Sequence, residues 1–284
     1  MLGIIMNNFK FILTLNILRR NSVIKKIIKK IIRSFGFDIV GYVNNQKKSV
    51  KTDKLSFYKT KTGNYYLPTD ALADAIVCAI KNNEIFDENV YKIAKKYIKP
   101  GTTAIDIGSN FGQMAILMSG LVGEKGIVHA FEADDFVFEV MQKSIKENAT
   151  NITAHFGAVH DKSNETLYFP EQDFVRFGTY GSYGIDYING KGRPVKTITI
   201  DDINFELPVS FIKIDIEGGE LFALKGAENT INKYRMPIIF EYGSHFEEEL
   251  GLSFQEYVDF VKRINYKFVR IIDNINYLIL PNSQ

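Results

Sequence analysis

Hydrophobic positions follow two different periods along the chain. From residue 63 onward, short apolar runs alternate with segments in which apolar residues recur every three or four positions. Runs of the first kind predict strands, and segments of the second kind predict helices. Strands separated by helices are typical of a parallel sheet covered on both faces. The pattern therefore predicts an α/β fold.

The predicted elements have the following bounds. Strands are predicted over residues 102–107, 127–131, 152–156, 209–215 and 237–242. Helices are predicted over residues 70–81, 87–97, 112–121, 135–148 and 220–233. Residues 266–273 and 277–280 flank a cluster of turn residues, which predicts a hairpin at the end of the chain.

The first 62 residues have a different pattern. Over residues 17–35, isoleucines recur at helical spacing between lysines, which predicts an amphipathic helix with a basic face. Such a helix suits the surface of an anionic membrane, although docking on the rest of the chain or on a partner in a homo-oligomer is the alternative. Residues 41–62 are polar and lysine-rich, and we expect a linker or loop. The chain thus divides into an extension, 1–62, and a main domain, 63–284.

Charge is distributed unevenly between these two parts. Residues 1–61 carry 14 lysines and arginines against two acids, whereas the rest of the chain has a net charge of −10. An acidic main domain is a poor polyanion binder, so no nucleic-acid partner is expected unless the extension alone binds one. The single cysteine, Cys78, cannot form an internal disulfide, which fits a reducing compartment. We expect a cytoplasmic protein, with peripheral association at the inner membrane face through residues 17–35.

The most specific segment runs from Ala104 to Gly112, with the sequence AIDIGSNFG. A strand ending in this turn places Gly108 at the carboxyl edge of a sheet, where ligands of open α/β folds bind. Asp106 would repel a pyrophosphate but suits a ligand with an ammonium or sulfonium charge. At the end of the next strand, Glu132 is placed to bind ribose hydroxyls. S-adenosylmethionine fits both features; a nicotinamide-binding domain or a purely structural turn is the alternative.

Several tracts together resemble the FkbM-type methyltransferases. They are the turn 106–112, Phe131-Glu132, Thr199-Ile-Asp-Asp202, the stretch FIKIDIEGGE at 211–220, ALKGA at 223–227 and the strand ending at Glu241. The resemblance covers roughly residues 63–245. It implies a class I methyltransferase (Rossmann-like) fold with a mostly parallel seven-stranded sheet whose last strand is antiparallel. It also implies S-adenosylmethionine as methyl donor and, most often, O-methylation of hydroxyls on sugars or natural products.

We expect the donor to be bound by residues at the carboxyl ends of the strands: Asp106, Gly108, Asn110, Gly112, Glu132, Ala158, Asp215 and Glu217. An alcohol acceptor has a high pKa, so transfer calls for a base or an acidifying metal. His245 is the candidate base, with Asp215 and Glu241 as further catalytic candidates. The same three side chains could hold magnesium or manganese. Glu217 could instead cap the following helix, as could Glu220.

The segment 173–193 is rich in aromatic and glycine residues and carries Arg176 and Arg193. Such a loop could stack on a sugar ring and pair with phosphate, or it could pack on its own domain. The leading hypothesis is O-methylation of a hydroxyl on a nucleotide-activated sugar or a surface-glycan precursor. The alternatives are methylation of a small natural product, a non-catalytic nucleotide-binding scaffold, and an RNA-binding module led by the basic helix.

Overall fold

The structure is a computed structural model that describes residues 55–71, 73–148, 151–171, 179–181 and 183–283. The amphipathic helix predicted over residues 17–35 lies outside these ranges, as do Phe174, Arg176 and Phe177 of the aromatic segment. Among the residues that are described, no helix is long and apolar enough to cross a membrane.

The described residues form short strands and helices that alternate along much of the chain. The strands are β1 (Leu55–Thr60), β2 (Gly63–Pro68), β3 (Thr103–Ile107), β4 (Ile127–Glu132), β5 (Ile152–Phe156), β6 (Ala158–Val159), β7 (Thr166–Phe169), β8 (Arg193–Ile198), β9 (Val209–Ile214), β10 (Ile238–Glu241), β11 (Tyr266–Ile272) and β12 (Asn276–Pro281). The helices are α1 (Ala75–Lys81), α2 (Glu88–Tyr97), α3 (Gln113–Val122), α4 (Asp135–Lys146), α5 (Glu220–Lys225), α6 (Glu228–Tyr234), α7 (His245–Leu250) and α8 (Phe254–Arg263).

Seven of these strands form one sheet, in the order β11-β12-β10-β9-β3-β4-β5. The neighbours from β10 to β5 pair in parallel, whereas β12 is antiparallel to both β10 and β11. This confirms the predicted mostly parallel sheet, the terminal hairpin and the antiparallel last strand. Because β3, β4 and β9 are parallel neighbours, their carboxyl ends meet at one edge.

Helices cover both faces of the sheet. Ile105 and Ile107 of β3 point into a core formed with α5, α6 and α8, while Ala104 points into a second core with α2 and α3. Successive side chains of a strand point to opposite faces, which explains this division. Since β3 is buried on both faces, its run is apolar except for Thr103 and Asp106. Asp106, fully buried at the end of this strand, therefore requires a compensating partner.

Two predicted elements differ from those observed near the start of the main domain. Residues 55–60, expected to be part of a linker, form β1 and pair with β2 in a hairpin, so a boundary after residue 62 would divide this hairpin. The helix expected over residues 70–81 begins only at Ala75, because Asp74 accepts a hydrogen bond from the N–H of Val77 and caps it.

The helix expected over residues 220–233 is broken into α5 and α6. A side chain at Gly226 would come within 2.0 Å of the carbonyl oxygen of His160, so only glycine allows this approach. Asp201 then accepts hydrogen bonds from the N–H groups of Asn229 and Thr230 and satisfies the first turn of α6. The break is thus set by contacts with distant residues.

Candidate active site

The carboxyl ends of β9, β3 and β4 lie side by side and carry most of the predicted site residues. Gly108, Asn110, Glu132, Asp215 and Glu217 are each partly exposed there. The structure therefore brings together the residues predicted for the donor from three separate stretches of sequence.

The turn after β3 is fixed by main-chain bonds to β4. The N–H groups of Gly108 and Ser109 donate to the carbonyl of Phe131, at 3.0 and 2.9 Å. Gly108 has a φ of 80°, and a Cβ there would lie 1.7 Å from the carbonyl oxygen of Asp215. The glycine therefore lets the turn approach the chain that follows β9 closely.

Glu132 ends β4 with its carboxylate bound by main-chain donors. One oxygen accepts from the N–H of Asn110, and the other accepts from the N–H groups of Ala133 and Asp134, all at 2.9 Å. Burial raises the pKa of Glu132 to about 7 against these bonds. A carboxylate has about four acceptor sites, so the partly exposed group can still accept a bond from a ligand hydroxyl.

The opposite side of the turn contains a buried lysine between two carboxylates. Lys213 Nζ lies 3.5 Å from Asp106 Oδ1 and 3.2 Å from Asp215 Oδ2. Burial acts to lower the pKa of Lys213, but the two carboxylates outweigh it and raise that pKa above its usual range. For Asp215, burial acts to raise the pKa, yet Lys213 helps to hold it below its usual range. The lysine is therefore charged and Asp215 is ionised.

Glu241, at the end of β10, shares a hydrogen bond with Asp215. Burial and the charge of Asp215 raise the pKa of Glu241 well above its usual range. Two adjacent carboxyl groups can form such a bond when one holds the proton, so Glu241 is the protonated donor and Asp215 the ionised acceptor.

The predicted metal site does not form. In the part of the chain that the structure describes, no three acidic, histidine or cysteine side chains are arranged to hold a metal ion. The reason is that Asp215 already has Lys213 and Glu241 as partners, while His245 is an exposed residue at the start of α7 whose ring lies against Phe246. Asp215 and Glu241 meet, but His245 does not complete a ligand set with them.

Glu217 lies beyond the end of β9, unlike Lys213, which is inside that strand. β9 ends at Ile214, and Glu217 lies in a turn with a left-handed φ of 57°. Glu220 orders this turn, because its carboxylate accepts from the N–H groups of Ile216 and Gly218. Glu220 therefore orders the turn before α5 and does not cap that helix, which has no side-chain cap hydrogen bond. Glu217 remains partly exposed at the site edge.

Two of the residues predicted for the donor are buried in packing. Gly112 precedes α3 with a φ of 88°, and a Cβ there would lie 3.1 Å from Met141. Ala158 is 4% exposed in a small cluster with Phe169 and Val195. Both residues therefore pack against the rest of the domain in this structure.

The aromatic segment packs partly on its own domain. Tyr180 lies between Phe111 and Phe136, with ring centroids 5.5 Å away in each case, and its N–H donates to Asp74. Arg193 forms ion pairs with Asp134 and Asp135, in keeping with the alternative that the segment packs on its own domain.

The same segment also reaches the site. A Cβ at Gly184 would lie 2.5 Å from the carbonyl oxygen of Glu217, and one at Gly219 would lie 2.7 Å from the hydroxyl of Tyr187. Residues 183–187 therefore pass directly over the turn after β9.

Two charged residues of the site were not among the predicted site residues. The first is Lys213. Its position inside the apolar run of β9 is a signal of a buried ion pair, because lysine is almost never fully buried unless it is paired. Asp87 was interpreted only as a helix start, yet it makes no cap hydrogen bond and has a left-handed φ of 56°. Burial and the nearby charge of Asp215 raise the pKa of Asp87 to about 6.

Comparison with known proteins adds a family match to this geometry. Residues 106–268 match the family model described as Methyltransferase FkbM domain, which begins and ends later than the resemblance seen in the sequence. No curated protein matches the chain significantly.

Among solved structures, the chain is similar to the methyltransferase FkbM from Methylobacillus flagellatus KT, with 17% identity, a TM-score of 0.41 and 66% of this chain covered. The chain spans about half of that protein, 49%. It is also similar to a putative rRNA-methylase from Clostridium thermocellum (16% identity, TM-score 0.43, 69% and 96% covered) and to a putative O-methyltransferase from Klebsiella pneumoniae (12%, 0.40, 70% and 82%). With TM-scores below 0.5, these likenesses carry no argument about activity.

Proposed function

Since the chain belongs to the FkbM methyltransferase family, we propose that it is an S-adenosylmethionine-dependent O-methyltransferase. The proposed acceptor is a hydroxyl of a sugar, in a nucleotide-activated sugar or a surface-glycan precursor. The observation that supports the donor is the pair of accessible carboxylates, Glu132 and Asp215, on either side of the turn that begins at Gly108.

The charges of the site suit this donor. Asp215, the accessible acid on one side of the turn, has its pKa held below its usual range with the help of Lys213, so it presents a negative charge to a ligand. When bound, S-adenosylmethionine supplies the electrophilic methyl group on a sulfonium centre. Asp215 would receive the ammonium of its methionine part, and Glu132 would accept bonds from its ribose hydroxyls.

The proton of the acceptor hydroxyl is assigned to His245. This residue begins α7 directly after the strand that carries Glu241, and its exposure leaves it open to an acceptor. Glu241, whose raised pKa favours the protonated form, is a poorer candidate for the base than His245. The contacts of residues 183–187 with the turn after β9 support the assignment of that segment to the acceptor side.

Titration calorimetry with S-adenosylmethionine tests the donor assignment, and a screen of nucleotide-activated sugars for release of S-adenosylhomocysteine tests the acceptor. We expect binding, and product release with at least one sugar. A folded protein that binds no donor would contradict the enzyme and favour a scaffold. Turnover with only small non-sugar alcohols would contradict the sugar acceptor alone.

Replacing His245→Ala should lower the turnover number about a hundredfold, because positioned general bases contribute on that order. Donor affinity should stay within about twofold, since the base acts on the acceptor alone. The neighbouring variant Ser244→Ala, also exposed, is the matched control and should retain full turnover. Unchanged turnover in His245→Ala would remove this residue from the mechanism.

We also propose that residues 17–35 bind anionic membrane, on the basis of the isoleucine stripe and its lysines. The full chain should sediment with anionic vesicles at low salt and be released at high salt, because salt screens exposed charges within about 8 Å at physiological ionic strength. Deletion of residues 1–35 should abolish sedimentation and leave donor binding intact. A full chain that stays in the supernatant at low salt would contradict the proposal.

A further inference from the structure

Lys213 connects two carboxylates that lie on different strands. Asp106 of β3 and Lys213 of β9 are direct partners in the parallel register, so their side chains share one face of the sheet. The lysine ammonium lies 3.5 Å from Asp106, 3.2 Å from Asp215 and 3.3 Å from the carbonyl oxygen of Gly108. The contact with Asp106 is an ion pair and not a hydrogen bond, since neither oxygen of Asp106 has a hydrogen-bond partner in the described chain.

The side chains of Asp106, Lys213 and Asp215 differ in their exposure to solvent. The side chain of Asp106 is 0% exposed and that of Lys213 is 7% exposed, whereas that of Asp215 is 24% exposed. A ligand can therefore touch Asp215 but neither of the other two. Lys213 is the only cation within 4.0 Å of Asp106 in the described chain, so this lysine is the contact that joins Asp106 to Asp215.

We propose that Lys213 is a positioning residue, which uses the buried Asp106 as its anchor and holds Asp215 in the orientation that receives the ammonium of the donor. This inference rests on the proposed function. It changes the role of Asp106, which the sequence assigned to direct donor binding. In this role Asp106 does not contact the donor, and it fixes the position of Lys213 instead.

A purely structural role for the same residues makes a different prediction. Removing one partner of a buried ion pair leaves an uncompensated charge, so Lys213→Met alone is expected to unfold part of the protein. Replacing both partners by neutral residues of similar size is often tolerated. The double variant Asp106→Asn with Lys213→Met removes both charges, and it is therefore the variant on which the test depends.

The measurement is calorimetric affinity for three molecules: S-adenosylmethionine, S-adenosylhomocysteine and 5′-methylthioadenosine. The third has the same nucleoside but no ammonium or carboxylate tail. We expect the folded double variant to bind the first two about tenfold more weakly or worse, because a charge-assisted bond is misplaced. Its affinity for 5′-methylthioadenosine should stay within about twofold of the wild type.

Three further variants sharpen the test. Lys213→Arg keeps the charge and should retain tail-dependent affinity to within about threefold. Adding Asp215→Asn to the double variant should cause little further loss of affinity, because the effects of substitutions at residues in contact are not additive. Lys92→Met, which removes an exposed lysine paired with Glu88, is the matched control and should bind all three molecules as the wild type does.

Each outcome separates this inference from the proposed function. A wild-type protein that binds none of the three molecules overturns the proposed function and the lysine's role with it. A wild type that binds S-adenosylmethionine, together with a folded double variant that binds it equally well, overturns only the role of Lys213. Equal losses for all three molecules, with a lowered melting temperature, would show that the residues are structural.

Discussion

The two carboxylates that flank the turn after β3 are held by different kinds of partner. Glu132 is bound by three main-chain N–H groups, whereas Asp215 is bound by the side chains of Lys213 and Glu241. Main-chain donors are present whatever the side chains are, as long as the backbone keeps its path. The Glu132 side is therefore set by the fold, and the Asp215 side is set by the ionisation of its neighbours.

The largest effect is expected at Gly108, where the turn after β3 approaches the backbone of Asp215. A Cβ in Gly108→Ala would lie 1.7 Å from the carbonyl oxygen of Asp215, and neither backbone can give way. We expect the free energy of unfolding to fall by roughly 4 kcal/mol, or folding to fail, because a clash adds to the strain of a positive φ. Urea denaturation measures this loss.

Gly101→Ala is the control for Gly108→Ala. Gly101 also has a positive φ, 73°, but a Cβ there would have nothing within 4 Å. Backbone strain alone should cost about 1–2 kcal/mol. Equal losses in the two variants would mean that the contact with Asp215 does not constrain the turn.

Much of this edge could be predicted from the sequence because it depends on local pattern. The end of β4 at Glu132 and the position of Asp215 after β9 both follow from apolar runs that stop at an acid. What could not be predicted depends on register between strands about a hundred residues apart. The pairing of Asp106 with Lys213 is one case, and the approach of Asp215 to Gly108 is another.

The misplaced elements have the same cause. The local sequence of the lysine-rich stretch before residue 62 does not indicate that β1 pairs with β2. Residues 220–233 likewise do not indicate that Gly226 packs against the backbone of His160, where the helix is interrupted. Protonation is also non-local, since the pKa of Glu241 is raised by its burial in the folded chain and by the charge of Asp215.

A smaller effect is expected at Glu132, where the fold supplies the partners. Glu132→Ala would leave the N–H groups of Asn110, Ala133 and Asp134 without their acceptor, and the solvent that replaces it would recover part of the loss. We expect a loss of about 2 kcal/mol in the free energy of unfolding. Affinity for S-adenosylmethionine and for 5′-methylthioadenosine should fall together, at least tenfold, because both carry the ribose.

Glu132→Gln serves as the matched variant. Its amide oxygen can accept from one group of N–H donors, but its NH₂ would face the other, so an intermediate loss is expected. Calorimetry and urea denaturation on the same samples separate affinity from stability. A loss of affinity for S-adenosylmethionine alone, in either variant, would contradict the assignment of Glu132 to the ribose.

The smallest effect is expected at Glu241, and its sign depends on pH. Because the pKa of Glu241 is raised in the folded state, the native protein keeps a proton that the unfolded chain loses above its own pKa. This carboxyl group therefore stabilises the fold fully at low pH, and its contribution is lost as pH rises toward the folded pKa.

Glu241→Gln copies the protonated form and can still donate to Asp215. At pH 6 we expect its free energy of unfolding to lie within about 1 kcal/mol of the wild type, as for other conservative changes. From pH 6 to pH 9 it should fall less steeply than that of the wild type. Glu241→Ala, which cannot donate, should be less stable than Glu241→Gln at both pH values. Parallel pH profiles for the wild type and Glu241→Gln would show that Glu241 is already ionised at pH 6, and the Asp215 side would then depend on Lys213 alone.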